Sequence, residues 1–382
     1  MPLNWNPFWP CLKANSSAKA VKCPFGFQPT SDASLSESIL RFPSALPLCD
    51  SKTSLSATTH SLPSPNKLVS RNKANVPPII TLTANIVAET TYYVSDWSAG
   101  KTSRATEERF QVGGKGINVS KMLQRLGAET TALCFPGGDF GPICEQWLTE
   151  RKRHFKSFSS GCITRSGAII RAPRSEEISI LGIDSHVSAE SVQDCVSYLK
   201  GLSEPYVLAI CGVFQEWESS SWNALRDWLP NRGRQVNLAV DTYGPSLPWF
   251  ARQQPNLIKI NRQELETLFD ESVSDSPTDD LMKRVAENYD CPLWIVTDGE
   301  SKIWTFEPGD QPQAIQPPIV ECLSPIGCGD VFFATLLDQQ YNHPDRSLES
   351  AVDLAANYAS RNAASTEVAT FSLENESRPN GS

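Results

Sequence analysis

Hydrophobic positions are scattered without period from Met1 to about Val76 and fall abruptly into runs beyond it. Ile79-Ile80-Thr81-Leu82-Thr83-Ala84 has the composition of a strand buried on both faces. Val119, Met122, Leu123 and Leu126 recur at i, i+3, i+4 and i+7, which predicts a helix with one apolar face, and Gly127 is placed to stop it. Between these, Tyr92-Tyr93-Val94 and Arg104 to Val112 predict two strands joined through Trp97-Ser98-Ala99-Gly100-Lys101. Thr130 to Phe135 predicts a further strand, with Gly137-Gly138-Asp139-Phe140-Gly141 turning the chain into a helix through Leu148. Phe155 to Leu181 alternates strongly, and Ile169, Ile170, Ile178, Ile180 and Leu181 are the expected inward positions.

Downstream the period switches repeatedly between helix and strand. Helix Ala189 to Leu202 precedes strand Tyr206 to Cys211, helix Ser221 to Leu229 precedes strand Gln235 to Asp241, and strand Leu257 to Ile260 precedes helix Gln263 to Phe269. Strand Pro292 to Thr297 follows, and the apolar run Val331 to Leu337 reads as a buried helix. Such alternation implies a parallel sheet with helices on both faces, an α/β fold.

Composition narrows the picture. The 382 residues are 40% hydrophobic and 20% charged, ample for one large core. Residues 1–76 are rich in Ser, Pro, Asn and Lys and are expected to form a disordered extension, with a transit peptide or an upstream misassigned start as alternatives. Residues 374–382 are expected to form a flexible tail. A net charge of −9 with no basic stripe argues against a nucleic-acid partner. No apolar run approaches the ~20 residues of a membrane span, so no membrane partner is expected. Eleven cysteines without a Cys-x-x-Cys pair, and four histidines without ligand spacing, argue against structural zinc and suit a reducing cytoplasm.

Two glycine turns carry the chemistry. Ser324-Pro325-Ile326-Gly327-Cys328-Gly329-Asp330 opens the late buried helix, and the first-turn N–H groups, with the helix dipole, make a seat for an anion. A carboxylate there, Asp330, can take a proton from an attacking hydroxyl while the amides stabilise a transferring phosphoryl group. The other turn, Gly113-Gly114-Lys115-Gly116-Ile117-Asn118, opens the amphipathic helix.

Together the two turns resemble the PfkB branch of the ribokinase-like sugar kinases, closest in motif to the phosphofructokinase and tagatose-phosphate kinase branch. The resemblance runs from about Pro77 to about Phe371, and implies a kinase domain over residues 77–373. It implies a three-layer α/β/α sandwich with a small β-sheet lid, whose strands are expected from about 90–112 and 155–182. It also implies ATP and Mg²⁺ as cofactors, a sugar or sugar phosphate as partner, and a possible homodimer through the lid. Gly327, Cys328, Gly329 and Asp330 would then be catalytic, and Gly113, Gly114 and Asn118 would hold the sugar. Glu89 stands where the family has an Asp for sugar hydroxyls. Arg104, nine residues before Gly113, Lys115, and Arg165 in a Thr-Arg pair would contact a substrate phosphate. Lys259, Asn261 and Glu264 match a Lys-Pro-Asn-x-x-Glu motif, with Glu264 reaching Mg²⁺ through water, a role compatible with a helix cap of Asn261 as N-cap and Glu264 at N3. Thr297 and Gly299 would border the nucleotide phosphates, and Asn357 the adenine.

Two departures bear on the sugar: Glu89 is one methylene longer than the family's Asp, and Cys211 to Glu216 lacks the second serine of the family's Ser-Gly-Ser loop. A nucleoside or unphosphorylated-sugar kinase, or a non-catalytic sugar- or nucleotide-binding homologue, is the alternative. The chain lacks the Gly-x-Gly-x-x-Gly of a Rossmann enzyme after its first strand, and lacks a P-loop and a Gly-x-Ser-x-Gly elbow. Cys328, at a helix N-terminus, is expected to carry a lowered thiol pKa.

Overall fold

The computed structural model describes residues 76–98, 100–173 and 177–373. The expected disordered extension lies, but for Val76, outside the described residues, as does the expected tail at 374–382. The described chain begins with β1 (Ile79–Thr83), β2 (Val87–Val94), β3 (Ala105–Gly113) and helix α1 (Lys115–Leu126). It continues through β4 (Thr130–Cys134), α2 (Gly141–Glu150), β5 (Phe155–Ser157), β6 (Arg165–Arg171) and β7 (Ile178–Leu181). Next come α3 (Ala189–Lys200), β8 (Tyr206–Cys211), α4 (Asn223–Trp228), β9 (Val236–Asp241), α5 (Leu247–Ala251) and β10 (Leu257–Asn261). Then follow α6 (Arg262–Glu266), α7 (Thr278–Asn288), β11 (Trp294–Asp298), β12 (Lys302–Phe306), β13 (Gln313–Ile315), α8 (Cys328–Asn342) and α9 (Leu348–Ala363).

Among the described residues the large sheet runs β13-β12-β11-β10-β9-β8-β1-β4-β5, and a second, four-stranded sheet runs β3-β2-β6-β7. The strands from β11 to β5 pair in parallel, and β12 and β13 close that edge antiparallel. Side chains alternate across this sheet as a period of two requires. On β8, Tyr206, Leu208 and Ile210 join one core cluster with α3, α4, α5 and α7, while Val207, Ala209 and Cys211 join another with α1, α8 and α9. The result is the expected three-layer α/β/α sandwich.

α8 is buried nearly all round, Thr335, Asp338 and Gln339 included, because it packs against both α1 and α9. Phe332 and Phe333 are both fully buried, and removing either ring should cost about 3–5 kcal/mol. α1 is the amphipathic helix that the spacing predicts, with Val119, Met122 and Leu123 buried. Gly127 ends it at φ 84°, and the Ala128 N–H returns to Leu123 O at 3.0 Å.

The small sheet differs from expectation at one end. Phe155–Ser157, expected among the lid strands, pairs with β4 at the edge of the large sheet. Ile180 and Leu181, expected inward, are 57% and 46% exposed, while Ile169 is buried. The alternation from Phe155 to Leu181 therefore spans two sheets.

Candidate active site

The chain runs from β1 outward to β4 and β5, then returns to place β8 on the other side of β1. Open α/β sheets form a crevice at such a switch, beyond the carboxyl ends of the strands. α1 begins there. Gly116 packs so closely that an added Cβ would lie 2.3 Å from Thr83 Oγ1 and 3.2 Å from Cys211 Cβ. Gly114, at φ 125°, leaves a Cβ only 2.8 Å from Thr83 Cγ2. α8 begins at the same crevice, and Asn118 Nδ2 donates to Asp330 Oδ2 at 2.8 Å across 212 positions of sequence. The two glycine turns thus line one cavity of about 280 Å³.

Gly327 makes the second turn possible. Its φ of 75° suits glycine, and a Cβ there would sit 2.6 Å from both Val368 methyls. Asn362, 1% exposed, holds the turn from behind, donating to Ile326 O at 2.9 Å and to Cys328 Sγ at 3.4 Å. No side chain caps α8, and the Cys328 N–H donates to Pro325 O at 3.4 Å. Asp330 is 6% exposed. Burial, with the like charge of Asp241, pushes its carboxyl up to about 6, against the pull of Lys115, Lys259 and the Asn118 hydrogen bond.

Asp241, at the end of β9, joins the two lysines of the site. Its Oδ1 lies 2.7 Å from Lys115 Nζ and its Oδ2 lies 3.0 Å from Lys259 Nζ. Burial alone would push this carboxyl up, yet the two ammonium groups hold it below the usual carboxylate range. Burial likewise opposes charge on Lys115, and Asp241, Glu264 and Asp330 together outweigh it, keeping it a cation. Lys115 also lies 5.1 Å from the Tyr243 ring centroid, as a cation–π contact. A Cβ on Gly329 would meet Lys259 Nζ at 2.9 Å, so this ammonium stands beside the Gly327–Gly329 turn.

The lid contributes an ordered ladder. Parallel and antiparallel register set Arg165, Val87 and Gly113 in one row and Gly167, Glu89 and Gln111 in the next. Ile169, Thr91 and Arg109 follow, then Arg171, Tyr93 and Glu107. The first two rows, Gly167 excepted, line the cavity with Ser179 and Leu181 from β7. Gln111 donates to Glu89 Oε1. Burial pushes the Glu89 carboxyl above its ordinary value, partly offset by that hydrogen bond. Arg165 is fixed by Asp184, whose Oδ1 accepts from Arg165 Nη1 at 2.7 Å and from Asn85 Nδ2 at 2.8 Å. Asp184 Oδ2 accepts from Gln215 Nε2 at 2.6 Å, so the guanidinium is anchored to both layers.

On the opposite wall, Asn261 Oδ1 accepts from Glu264 N and Glu264 Oε2 accepts from Asn261 N, each at 2.8 Å, a complete capping box starting α6. Glu264 Oε1 meanwhile faces Lys115 Nζ at 3.7 Å. Lys259, Thr297 and Gly299 complete this wall.

Of the residues singled out from sequence, Glu89, Gly113, Gly114, Lys115, Asn118, Arg165, Lys259, Asn261, Glu264, Thr297, Gly299, Gly327, Gly329 and Asp330 all line the cavity. Arg104 does not. It is exposed just before β3, and nine extended residues put it about 30 Å from Gly113. Asn357 is exposed on α9, where it donates to Asp353 O. Cys328 keeps its place in the turn but not the expected thiol. It is 2% exposed, and burial pushes the thiol up to about 12, so the helix dipole loses to desolvation. Asp241, Gln111, Tyr243 and Asp184 were missed. Only Asp241 carried a signal, the end of a predicted parallel strand.

Comparison with solved structures agrees with this architecture. Phosphofructokinase-2 from Escherichia coli in complex with potassium superposes with a TM-score of 0.68 at 19% identity, over 77% of this chain and 94% of that one. A ribokinase from Thermotoga maritima superposes at 0.58 and 15% identity, over 76% and 94%. At such identities the likeness concerns the fold. In sequence, the 1-phosphofructokinase of Borreliella burgdorferi is 31% identical over 193 residues, 50% of this chain and 61% of that protein. The D-tagatose-1-phosphate kinase of Bacillus licheniformis is 27% identical over 191 residues, 50% and 62% respectively. The chain therefore spans about six-tenths of the length of these relatives. No helix among the described residues is long and apolar enough to cross a membrane. The model of the pfkB family of carbohydrate kinases matches residues 83–375, through both glycine turns and the sheet between them, and the chain belongs to that family.

Proposed function

We propose that this chain is an ATP-dependent kinase that transfers the γ-phosphoryl group to a hydroxyl of a phosphorylated ketose, of the fructose or tagatose kind that its relatives' names record. The observation that carries this reading is the 2.8 Å hydrogen bond between Asn118 and Asp330, which sets the sugar-holding turn against the candidate base. Asp330 removes the acceptor proton as the hydroxyl oxygen attacks the γ-phosphorus and the bond to the leaving ADP oxygen breaks. A carboxyl at about 6 is mostly ionised at neutral pH yet basic enough to work. The amides of the Gly327-Cys328-Gly329 turn and the Lys259 ammonium beside them stabilise the charge on the moving phosphoryl group. Glu89, Gly114 and Asn118 hold the sugar, and Arg165, steadied by Asp184, holds its phosphate.

Among the described residues no three His, Cys, Asp or Glu side chains converge as metal ligands. Glu264, which lines the cavity, would steady a hydrated Mg²⁺ through water beside the nucleotide phosphates, where the ion would neutralise phosphate charge. Ile163, Ile180 and Ile183, 58%, 57% and 94% exposed around β7, support a second copy of the chain as occupant of the lid edge; sedimentation of an Ile180→Asp variant tests this, a wild type already monomeric ruling it out.

The kinase reading is tested by ADP release with fructose 1-phosphate, tagatose 1-phosphate, fructose 6-phosphate, free hexoses and nucleosides. A phosphorylated ketose is expected to be turned over best. Asp330→Asn is expected to lower kcat by about 10²–10⁴. Undiminished turnover removes Asp330 as base, and preference for a nucleoside or free sugar removes the substrate class.

A further inference from the structure

The outermost row of the lid ladder does not touch the cavity, yet its ion pair between the ends of β6 and β7 reaches a hydroxyl on the body of the protein. Arg171 Nε donates to Glu177 Oε2 at 2.6 Å, and both side chains are only 13% exposed. Arg171 Nη2 donates to Ser324 Oγ at 3.4 Å, and Ser324 Oγ donates to Glu177 Oε1 at 3.4 Å. Ser324 is 2% exposed and begins the segment leading into the anion turn, where its Oγ also accepts from Ile326 N at 3.4 Å.

A second contact leaves the other side of the same lid face. Arg109 Nη1 donates to Glu367 Oε1 at 2.5 Å, next to Val368, whose methyls fill the space over Gly327. Ala369 N, one residue further, donates to Asn362 Oδ1 at 2.8 Å, the same Asn362 that holds Ile326 O and Cys328 Sγ. Tyr93 joins the two contacts across the lid. Its ring centroid lies 5.3 Å from Arg109 Cζ and 6.0 Å from Arg171 Cζ, and its hydroxyl accepts from Arg171 Nη1 at 3.3 Å.

We propose that Arg171 and Glu177, landing on Ser324, form a latch between lid and anion turn, with Arg109 and Glu367 as a second strut, so that seating the lid and aligning the phosphoryl-binding amides are one event. These are positioning residues. None reaches the cavity, and each acts through the turn that Ser324 and Val368 flank. The catalytic consequence rests on the kinase reading above: with the latch broken, the amides and Asp330 no longer align when the lid closes, and transfer slows without loss of nucleotide binding.

The test reads the latch apart from the activity. Hydrogen–deuterium exchange is measured on the full chain and on Glu177→Gln, a near-isosteric change that removes the charge facing Arg171. Residues 324–330 are expected to exchange about tenfold faster in the variant, with α1 unchanged as internal control. Equal exchange in 324–330 overturns the latch, as does a change spread evenly over α1 and 324–330. Arg109→Gln, at a side chain 51% exposed and so safe for folding, is expected to give a smaller increase in the same segment, and none at all overturns the strut. Separately, kcat for the acceptor is expected to fall about tenfold in Glu177→Gln while the KM for ATP holds. Failure of every acceptor in the wild type would overturn the kinase reading, while the exchange result would still decide the latch.

Discussion

Lys115 and Lys259 stand at the two oxygens of one buried aspartate, Asp241, with Nζ to O distances of 2.7 and 3.0 Å. Neither lysine is near the other in sequence, and Asp241 is fully buried. The three residues form a charged bridge between helix α1 and strand β10, with one positive charge in excess.

Breaking that bridge should be costly in a way that an anion repairs. Asp241→Asn removes the carboxylate that two ammonium groups share, leaving Lys115 only its longer contact with Glu264, a loss of about 3–5 kcal/mol. Thermal melting is expected to show a large drop in Tm, part of which returns with inorganic phosphate. The phosphate-induced rise should be larger in Asp241→Asn than in the wild type; an equal rise in both means that the lysines do not hold phosphate.

The candidate base gives a pH signature. With its carboxyl at about 6, kcat/KM should fall on the acid side as pH drops through about 6, and hold above it. The residual activity of Asp330→Asn should lack this limb. A limb that survives in Asp330→Asn belongs to another group.

The same shift predicts a stability effect of opposite sign to the loss of activity. Asp330 binds its proton more tightly folded than unfolded, so stability falls as pH rises from about 4 to about 6 and the full penalty applies above that. Asp330→Asn removes the penalty, up to about 3 kcal/mol at pH 8 and less at pH 4. Urea midpoints at both pH values check the direction, and a variant less stable than wild type at pH 8 contradicts it.

Gly327 should tolerate no side chain. Gly327→Ala meets both a left-handed backbone and the Val368 methyls, for a combined cost of about 3 kcal/mol. Adding Val368→Ala should relieve the steric part and leave the backbone part. Strictly additive losses in the double variant would show that the two positions do not collide.

Arg165 should report on the phosphate of the acceptor. Arg165→Met is expected to raise the KM for a ketose phosphate by about 10–100-fold, the loss of one or two charge-assisted hydrogen bonds, while sparing any free sugar. Asp184→Asn, which loosens the guanidinium without removing it, should act in the same direction and less. Equal losses with phosphorylated and free acceptors would assign Arg165 to the lid alone.

Legibility followed locality. α1 and both glycine turns were readable because their constraints are local: a helical period, a positive φ, a backbone passing too close for a Cβ. Asp241 was not, because a strand-end aspartate has no local mark and its role comes from lysines 126 positions before it and 18 after it. Arg104 shows the converse. Nine positions is a short step along a helix but about 30 Å along a strand, and sequence spacing alone does not measure reach. At Cys328 the local reasoning was sound and tertiary packing outweighed it, since the sulfur is buried with Asn362 of α9 and Ser324 against it.

The ladder on the inner face of the lid is polar and charged over most of its length, with Glu89, Gln111, Arg165, Arg171 and Glu107 where a core-facing sheet would carry aliphatic side chains. On that face the lid is held mainly by ions that water and dissolved salt compete for, while Ala88, Phe110 and Val112 of its other face pack into an apolar cluster with α1, α2 and β4. Ionic strength is then expected to tune how firmly that face is held, and an occupant of the cavity that satisfies those same groups would become part of what holds it.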